Sequence, residues 1–332
     1  MQIKQAVINK EKDKVKDFLA ENQLKFRQDV DYTFYAEEDG EIVGTVSIFG
    51  NLIMQLAVDK KVRGENLALK LVDYAIGVLR ENKIYGYRVF TKPEYKDLFV
   101  SLGLKVLVSS DNFVSLEGGE SSILETLKGL KTKITMELGA IYPNSGAIVL
   151  NGNPFTEGHL GLIEHALKFH EKVLVFVLEE DLSYFTFKER YSLAFLATRC
   201  FSDRVCVLPS TSYVVSKSTF PDYFYKTEDQ TTKAFAEYDA LIFKNYFMRE
   251  LGISKRYFGS ESLGYMKTYN EQMKTVLDSS AEIVERFKLS GQQISAKTVR
   301  NYIQNGEVDK ALELVPQSTR AVLKMILSGK NV

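Results

Sequence analysis

The chain has 332 residues, more than one hydrophobic core usually organises, so two domains are expected, with room for a small appendage. Its 43 Lys and Arg balance 43 Asp and Glu, which leaves no net field to hold a polyanion and excludes tRNA or DNA as an expected partner. No apolar run reaches the roughly 18 to 20 residues of a bilayer span, so no membrane partner is expected either. Small molecules or a small protein remain. Only Cys200 and Cys206 are present, outside any CxxC, and Met1 to Asp13 is polar. Both features point to a cytoplasmic protein with free thiols. His159, His165 and His170 do not keep the i, i+3 or i+4 spacing that places two ligands on one helix face. No metal site is therefore expected from them, and His165 and His170 read as helix-surface residues.

Residues 1–120 alternate helix and strand patterns. A helix is expected over Lys10–Asn22, then strands over Tyr32–Ala36 and Ile42–Phe49, joined by a turn at Glu38-Asp39-Gly40. A strand at Ile53–Val58 leads through a loop holding Arg63 and Gly64 into a helix over Leu67–Asn82. The apolar positions of that helix, Ala68, Leu71, Val72, Ala75 and Leu79, keep the spacing of one face. A strand (Arg88–Thr91), a short helix (Glu94–Leu102) and two closing strands (Lys105–Val108 and Asn112–Leu116) follow. The pattern lapses at Glu117-Gly118-Gly119-Glu120-Ser121, so the domain boundary is set there. Residues 121–144 are read as a linker with a connecting helix over Ser122–Lys131.

From residue 145 to 332 the pattern is βαβ: a strand at 147–152, a helix at 159–169, a strand at Val173–Leu178, a helix at Lys188–Phe201 and a strand at Val205–Leu208. A later helix, Ala240–Leu251, precedes a strand at Arg256–Gly259. Short apolar strands alternating with helices specify a Rossmann-like α/β domain, a parallel sheet with helices on both faces and its ligand at the carboxyl ends of the strands. The stretch from Ser216 to Gln230 is long, irregular and rich in Tyr, Phe, Ser and Thr, and such loops often carry function. The tail from Ser295 onward is helical, with Gly306 and Pro316 as stops.

One stretch is the most informative, Ala147-Ile148-Val149-Leu150-Asn151-Gly152-Asn153-Pro154-Phe155-Thr156-Glu157-Gly158-His159. An apolar strand passes through a Gly/Pro turn into a helix with a His on its first turn. Backbone N–H groups at a helix start lack intrahelical partners and carry the positive end of the dipole, so an anion is favoured there. Gly152, Asn153 and Pro154 equally suit an ordinary strand-to-helix turn. Ser295 suits an N-cap of the helix Lys297–Asn305 on structural grounds alone. Lys297, Thr298 and Arg300 would then bring charge and a hydroxyl to the phosphates, Arg through its planar fork. The chain has no GxxxxGK[ST] phosphate loop.

The run Thr156-Glu157-Gly158-His159 resembles the (T/H)xGH signature of the nucleotidyltransferase superfamily, which implies attack at the α-phosphate of ATP with release of pyrophosphate. Its successors in the chain are Ser212-Tyr213, Ser218-Thr219-Phe220-Pro221, Tyr257-Phe258-Gly259-Ser260-Glu261 and Ile294-Ser295-Ala296-Lys297-Thr298-Val299-Arg300. In that order they resemble the citrate lyase ligases, which acetylate the prosthetic group of the citrate lyase acyl carrier subunit. The resemblance covers about residues 147–320. Its last run looks like a second nucleotide motif, roughly ISxTxxR, with Lys297 where many relatives carry Ser or Thr. The resemblance implies ATP, Mg2+, acetate and the acyl carrier subunit with its CoA-like group as cofactors and partners. It implies Thr156, His159, Lys297 and Arg300 as catalytic. It implies Leu150, Asn151, Gly152, Asn153, Pro154, Phe155, Gly158, Gly259, Glu261, Ser295 and Thr298 as nucleotide-binding.

The stretch from Val58 to Ala68 resembles the acyl-CoA pyrophosphate loop of the GNAT acetyltransferases. That implies a GNAT-like α+β fold for residues 1–120, with Val58, Arg63, Gly64, Asn66 and Ala68 holding a phosphopantetheine. There are two departures. Asn66 stands at the usual second Gly, which narrows the room for a pyrophosphate. Phe99 stands where a Tyr commonly protonates the departing thiolate. Phe has no proton to give, so the domain is expected to hold an arm rather than to transfer acetyl itself, with Phe99→Tyr changing little.

The expected reaction is that of an AMP-forming acid-thiol ligase working through acetyl-adenylate. Two other readings stay open. One is an adenylyltransferase of the pantetheine-phosphate or nicotinamide-mononucleotide type, fused to an acetyltransferase-like domain and making a dinucleotide. The other is an N-terminal domain that only recruits the carrier or senses a metabolite. Glu261 fits an adenosine contact or a solvated turn, and Arg190 a solvated helix start or a substrate contact. The segment from Ser216 to Gln230 is the candidate contact for acetate or the arm.

Overall fold

The computed structural model describes residues 2–62, 66–179, 183–216, 220–261, 264–289 and 292–330. The chain forms two compact units, Met1–Ser122 with Pro221–Ala234, and Ile123–Phe220 with Phe235–Val332.

Unit 1 is a seven-stranded sheet with helices α1 (Asn9–Glu21), α2 (Leu67–Glu81) and α3 (Lys96–Ser101). The strands are β1 (Gln2–Gln5), β2 (Tyr32–Glu38), β3 (Glu41–Phe49), β4 (Leu52–Val58), β5 (Gly86–Thr91), β6 (Lys105–Ser109) and β7 (Val114–Gly119), in the order β1-β2-β3-β4-β5-β7-β6. Alternation along the strands sends Phe34, Val46 and Ile48 to one face, where Leu71, Val72 and Ala75 of α2 pack. Tyr35 and Ala57 go to the other, against Val15, Phe18 and Leu19 of α1. The strand β1 has a single apolar residue, so periodicity gave no signal for it. The stretch where the pattern lapses is the end of β7. A Cβ at Gly118 would lie 2.6 Å from the Tyr87 ring, and one at Gly119, whose φ is +90°, only 2.0 Å from Tyr85 O. Packing of the neighbouring strand thus requires the two glycines there.

All neighbouring strands are antiparallel except β4 and β5, which run parallel and pair only at Leu52–Arg88 and Ile53–Val89. Beyond that point Gln55 adopts φ +52°, and the β3–β4 register shifts between Thr45 and Ser47, as at a β-bulge. Residues 221–234 belong to this unit. The Tyr223 hydroxyl donates to Phe90 O of β5 at 2.8 Å, Lys25 N–H donates to Tyr223 O at 2.7 Å, and Phe224 stacks on Phe90 with centroids 5.6 Å apart.

Unit 2 begins with α4 (Ile123–Leu138), which runs past the expected end at Lys131 and buries Ile123, Leu127, Leu130, Ile134 and Leu138. It packs on the sheet at β10. That sheet has five strands, β8 (Ser145–Leu150), β9 (Val173–Val177), β10 (Val205–Pro209), β11 (Ile253–Gly259) and β12 (Ala281–Val284), all parallel in the order β10-β9-β8-β11-β12. Every residue of β9 is buried, which is why it reads as an unbroken apolar run. The helices are α5 (Glu157–Ala166), α6 (Phe187–Thr198), α7 (Glu228–Ile242, which belongs to this unit from Phe235 onward), α8 (Arg249–Leu251), α9 (Tyr265–Leu277), α10 (Ala296–Gln304), α11 (Val308–Glu313) and α12 (Arg320–Gly329). Strand order reverses at β8, so the crevice between β8 and β11 opens at their carboxyl ends.

The helix expected at Ala240–Leu251 begins at Glu228 and passes through a π-helical turn at Phe243–Met248. The helix α9 and the strand β12 lie in a stretch for which the sequence gave no element. Buried Tyr269, Met273 and Leu277 of α9 do keep a helical spacing, among mostly polar neighbours. His170 is not a helix-surface residue but is buried between strands. Its Nδ1 lies 2.7 Å from Asn144 O and its Nε2 2.8 Å from the Tyr257 hydroxyl. Gly146 makes that room, since a Cβ there would come within 2.9 Å of the His170 ring. His165 pairs with Glu282 at 2.7 Å. Among the described residues no helix is long and apolar enough to cross a membrane, and Cys200 and Cys206 are free.

Candidate nucleotide site

A cavity of about 690 Å³ opens in unit 2 where β8 and β11 end. Of the residues expected at a nucleotide site, Leu150, Asn151, Gly152, Asn153, Thr156, Gly158, His159, Gly259, Glu261, Ser295, Lys297 and Arg300 line it. Three do not. Pro154 and Phe155 are buried under the turn, so they shape it from behind. Thr298 is turned into the cap of α10: its N–H donates to Ser295 Oγ at 3.0 Å and its hydroxyl lies 2.7 Å from the same oxygen.

Local chemistry builds the turn. Gly152 has φ +63°, a left-handed conformation that glycine adopts at no steric cost. Asn153 Oδ1 accepts from Phe185 N–H at 3.1 Å, and Asn151 Nδ2 donates to Ser183 Oγ at 3.2 Å. Thr156 takes extended backbone angles as the residue before α5. The Glu157 N–H is occupied by Leu314 O at 3.0 Å and the His159 N–H by Thr156 O at 3.0 Å, which leaves the Gly158 N–H and the His159 ring as the candidate donors at this helix start.

His159 plays the part that Glu or Gln takes in a capping box. Its Nδ1 accepts from Thr156 N–H at 3.0 Å and lies 2.9 Å from Thr156 Oγ1. Burial, reinforced by the positive charge of Arg286, pushes its pKa down to about 4 from the usual 6.5. The ring is therefore neutral near pH 7, and because Nδ1 accepts, the proton sits on Nε2. The site thus presents a fixed Nε2–H donor rather than an imidazolium. The unfolded chain binds this proton more tightly, so the stabilisation from neutral His159 is complete above about pH 6.5 and is lost as pH falls to about 4. Nitrogen-15 NMR of the free protein should find the Nε2–H tautomer and no imidazolium at pH 6. A charged His159 ring at that pH would contradict the assignment.

Opposite the turn, the side chain of Ser295 caps α10, and Arg300, one helical turn on, donates through Nη1 to Asn153 O at 2.5 Å. Arg300 therefore joins the second motif to the first. Lys297 is exposed at the cavity rim. Sequence reasoning missed Arg286, which follows β12 and lines the cavity. Its guanidinium pairs with Glu261 and donates from Nε to Ser260 O at 3.0 Å. Glu261 is thus neither a solvated turn residue nor an unengaged carboxylate. Gly259 O is held by Asn270 Nδ2 at 3.0 Å.

Arg190 is neither solvated nor exposed to substrate; its relative exposure is 0%. It donates from Nε to Phe185 O at 3.0 Å, and from Nη1 to Asn151 O at 2.8 Å and Leu178 O at 2.7 Å. Asn151 follows β8 and Leu178 follows β9, so this one guanidinium ties two strand ends and the 183–186 loop together under the turn. The candidate substrate loop divides: Ser216 lines the cavity, Phe220 is buried, and residues 221–230 cluster with unit 1. Ser218 and Thr219 lie outside the described residues.

In unit 1, Arg63 and Gly64 also lie outside the described residues, while Val58 ends β4 and Ala68 is the second residue of α2. Asn66, before α2, has φ +59°. The left-handed angle that a glycine would supply is thus kept, and Asn is among the side chains that tolerate it best. Phe99 belongs to the core at 2% exposure, so Phe99→Tyr, expected to change acetyl transfer little, carries a cost in stability. It should bury a hydroxyl and lower the Tm, by a cost of about 1–3 kcal/mol, without creating an acid. An unchanged Tm would contradict that placement.

The sequence also matches two family models, the citrate lyase ligase C-terminal domain over residues 145–323 and the acetyltransferase (GNAT) family over residues 5–96. It is 30% identical to a [citrate [pro-3S]-lyase] ligase of Haemophilus influenzae, covering 92% of each chain. It is likewise 30% identical to that of Escherichia coli, covering 96% of this chain and 92% of the other. It is 29% identical to that of Klebsiella pneumoniae, covering 95% and 93%. With a Rossmann-like sheet, the Gly152 turn at its switch point, a GNAT-type unit before it and relatives matched over nearly their whole length, the chain belongs to the citrate lyase ligase family.

Proposed function

We propose that this enzyme, a ligase of the kind its relatives are named for, acetylates the citrate lyase acyl carrier by way of acetyl-adenylate formed in the cavity of unit 2. An acetate oxygen attacks the α-phosphorus of ATP, the bond to the β-phosphate breaks, and pyrophosphate leaves. The thiol sulfur of the carrier's phosphopantetheine-like arm then attacks the acetyl carbon. The bond to AMP breaks, and the thiol proton passes to solvent or to the departing phosphate.

In this reading the chain positions the phosphates and offsets their charge, which is most of what such a transfer requires. The Nε2–H of His159 donates to the phosphate chain, with Thr156 and the Gly158 turn beside it, while Arg300 and Lys297 approach from the second motif. Leu150, Asn151, Gly152, Asn153, Gly259 and Glu261 surround the nucleoside end. Pro154 and Phe155 support the turn, and Ser295 with Thr298 the cap. Mg2+ fits as a companion of the triphosphate. Among the described residues no group of three or more His, Cys, Asp or Glu is arranged to hold a metal, and Mg2+ at such sites is held largely by phosphate and water. When bound, it neutralises the β- and γ-phosphates. Unit 1, through Val58, Arg63, Gly64, Asn66 and Ala68, is the proposed seat for the arm's phosphates. Balanced charge and two free cysteines support a cytoplasmic setting.

The observation that carries the proposal is the convergence of His159, Arg300 and Ser295 on one cavity at the β8–β11 switch point. Mass spectrometry of a reaction of ATP, acetate and the carrier tests it. AMP, pyrophosphate and an acetylated carrier are expected. ADP with phosphate, or a dinucleotide, would contradict it.

A further inference from the structure

Three side chains at the cavity have no part in the chemistry just described. Asp239 on α7, Arg256 on β11 and Tyr269 on α9 are 1%, 3% and 8% exposed, and all three line the cavity. Arg256 Nη2 donates to Asp239 Oδ2 at 2.9 Å, and the Tyr269 hydroxyl donates to the same oxygen. The guanidinium lies over the Phe243 ring, 4.6 Å from its centroid. Burial and the Asp239 charge push the Tyr269 hydroxyl well above its usual pKa, so it remains a donor.

The trio is incompletely satisfied. Among the described residues, Asp239 Oδ1, Arg256 Nε and Arg256 Nη1 are buried without a hydrogen-bond partner. Native proteins seldom leave such atoms unmatched, and a buried ion pair costs stability unless its remaining donors and acceptors are filled. The leftover valences describe what would fill them. One cation against one anion is neutral, so a carboxylate reaching the Arg256 donors would be repelled by Asp239, and a cation reaching Asp239 would be repelled by Arg256. A neutral group with a carbonyl oxygen beside an N–H satisfies both. That is a secondary amide. The cavity walls formed by Val214, Phe235 and Met266 suit the methylenes on either side of it.

We propose that the Asp239–Arg256 pair binds an amide of the pantetheine-like arm that brings the acceptor thiol. Arg256 donates to the amide carbonyl and Asp239 accepts from the amide N–H. This rests on the reading that a thiol takes the acetyl group, and it adds what that reading lacks, a place in unit 2 where the arm is recognised by its backbone rather than by its phosphates.

The test uses the full chain with pantetheine as acceptor, and with pantetheine analogues in which one or the other amide N–H is replaced by an ester oxygen. Acetate-dependent pyrophosphate exchange is measured first. Its absence would fail the underlying ligase reading and not this one. With exchange present, one of the two ester analogues should have kcat/KM lower by about tenfold to a hundredfold, the effect of leaving a buried acceptor unpaired. Equal use of pantetheine and both analogues would overturn the proposal. In a protein carrying Asp239→Leu and Arg256→Met together, the discrimination should collapse. Discrimination that persists in a folded double variant would overturn the proposal, as would a raised KM for acetate with amide discrimination intact. If the double variant does not fold, the analogue series on the unaltered protein decides alone.

Discussion

Replacing His159 with alanine is expected to slow acetate-dependent exchange of pyrophosphate into ATP by about a hundredfold or more, the scale of losing one preorganised donor to developing charge. The ring is locked by its acceptor bond from Thr156 N–H, so its Nε2–H needs no reorganisation when the phosphate arrives. Arg300→Ala should cost at least as much. It removes a charge from the proposed phosphate site and also the bond to Asn153 O that joins the two motifs. Arg300→Lys should recover only part of the loss, because an ammonium cannot hold that carbonyl and a phosphate with one planar fork. A folded His159→Ala protein with near-unaltered exchange would withdraw His159 from the site, and the same holds for Arg300.

The second large effect is on stability. Arg190→Met keeps the volume of the stem but leaves the carbonyls of Phe185, Asn151 and Leu178 without a buried donor. Each loss costs on the order of 1–3 kcal/mol, so the total should be at least about 3 kcal/mol. Denaturant unfolding should show unit 2 destabilised by that amount, and exchange should fall in whatever protein remains folded, because the nucleotide turn is tied through Asn151. Wild-type stability and exchange in Arg190→Met would show that the turn holds its shape without the guanidinium.

What could be read in the sequence is what local chemistry encodes. The strand-turn-helix at 145–166 and the Ser295 cap each place their signals within a few neighbouring positions, and apolar runs gave four of the five strands of the parallel sheet. The site's supports were invisible for the opposite reason. Arg190 meets carbonyls from three separate segments, and Asp239, Arg256 and Tyr269 meet from three elements, so no spacing announces either group. Arg286 follows a strand of only four residues, too short for a periodic signal. The burial of Phe99 and the membership of Tyr223 in unit 1 likewise depend on packing that no local pattern reports. The conformation at Asn66 illustrates the limit of residue-by-residue comparison. A departure from glycine looked like a loss, yet the backbone angle is the one a glycine would supply.

In the proposed reaction, ATP is cut between its α- and β-phosphates by a carboxylate held in unit 2. The most direct measurement is the exchange of labelled pyrophosphate into ATP by the purified protein, with and without acetate and in the absence of any thiol. Exchange that requires acetate and proceeds without the carrier is the predicted result. No acetate-dependent incorporation of label into ATP, with ATP converted instead to ADP and inorganic phosphate, would contradict it.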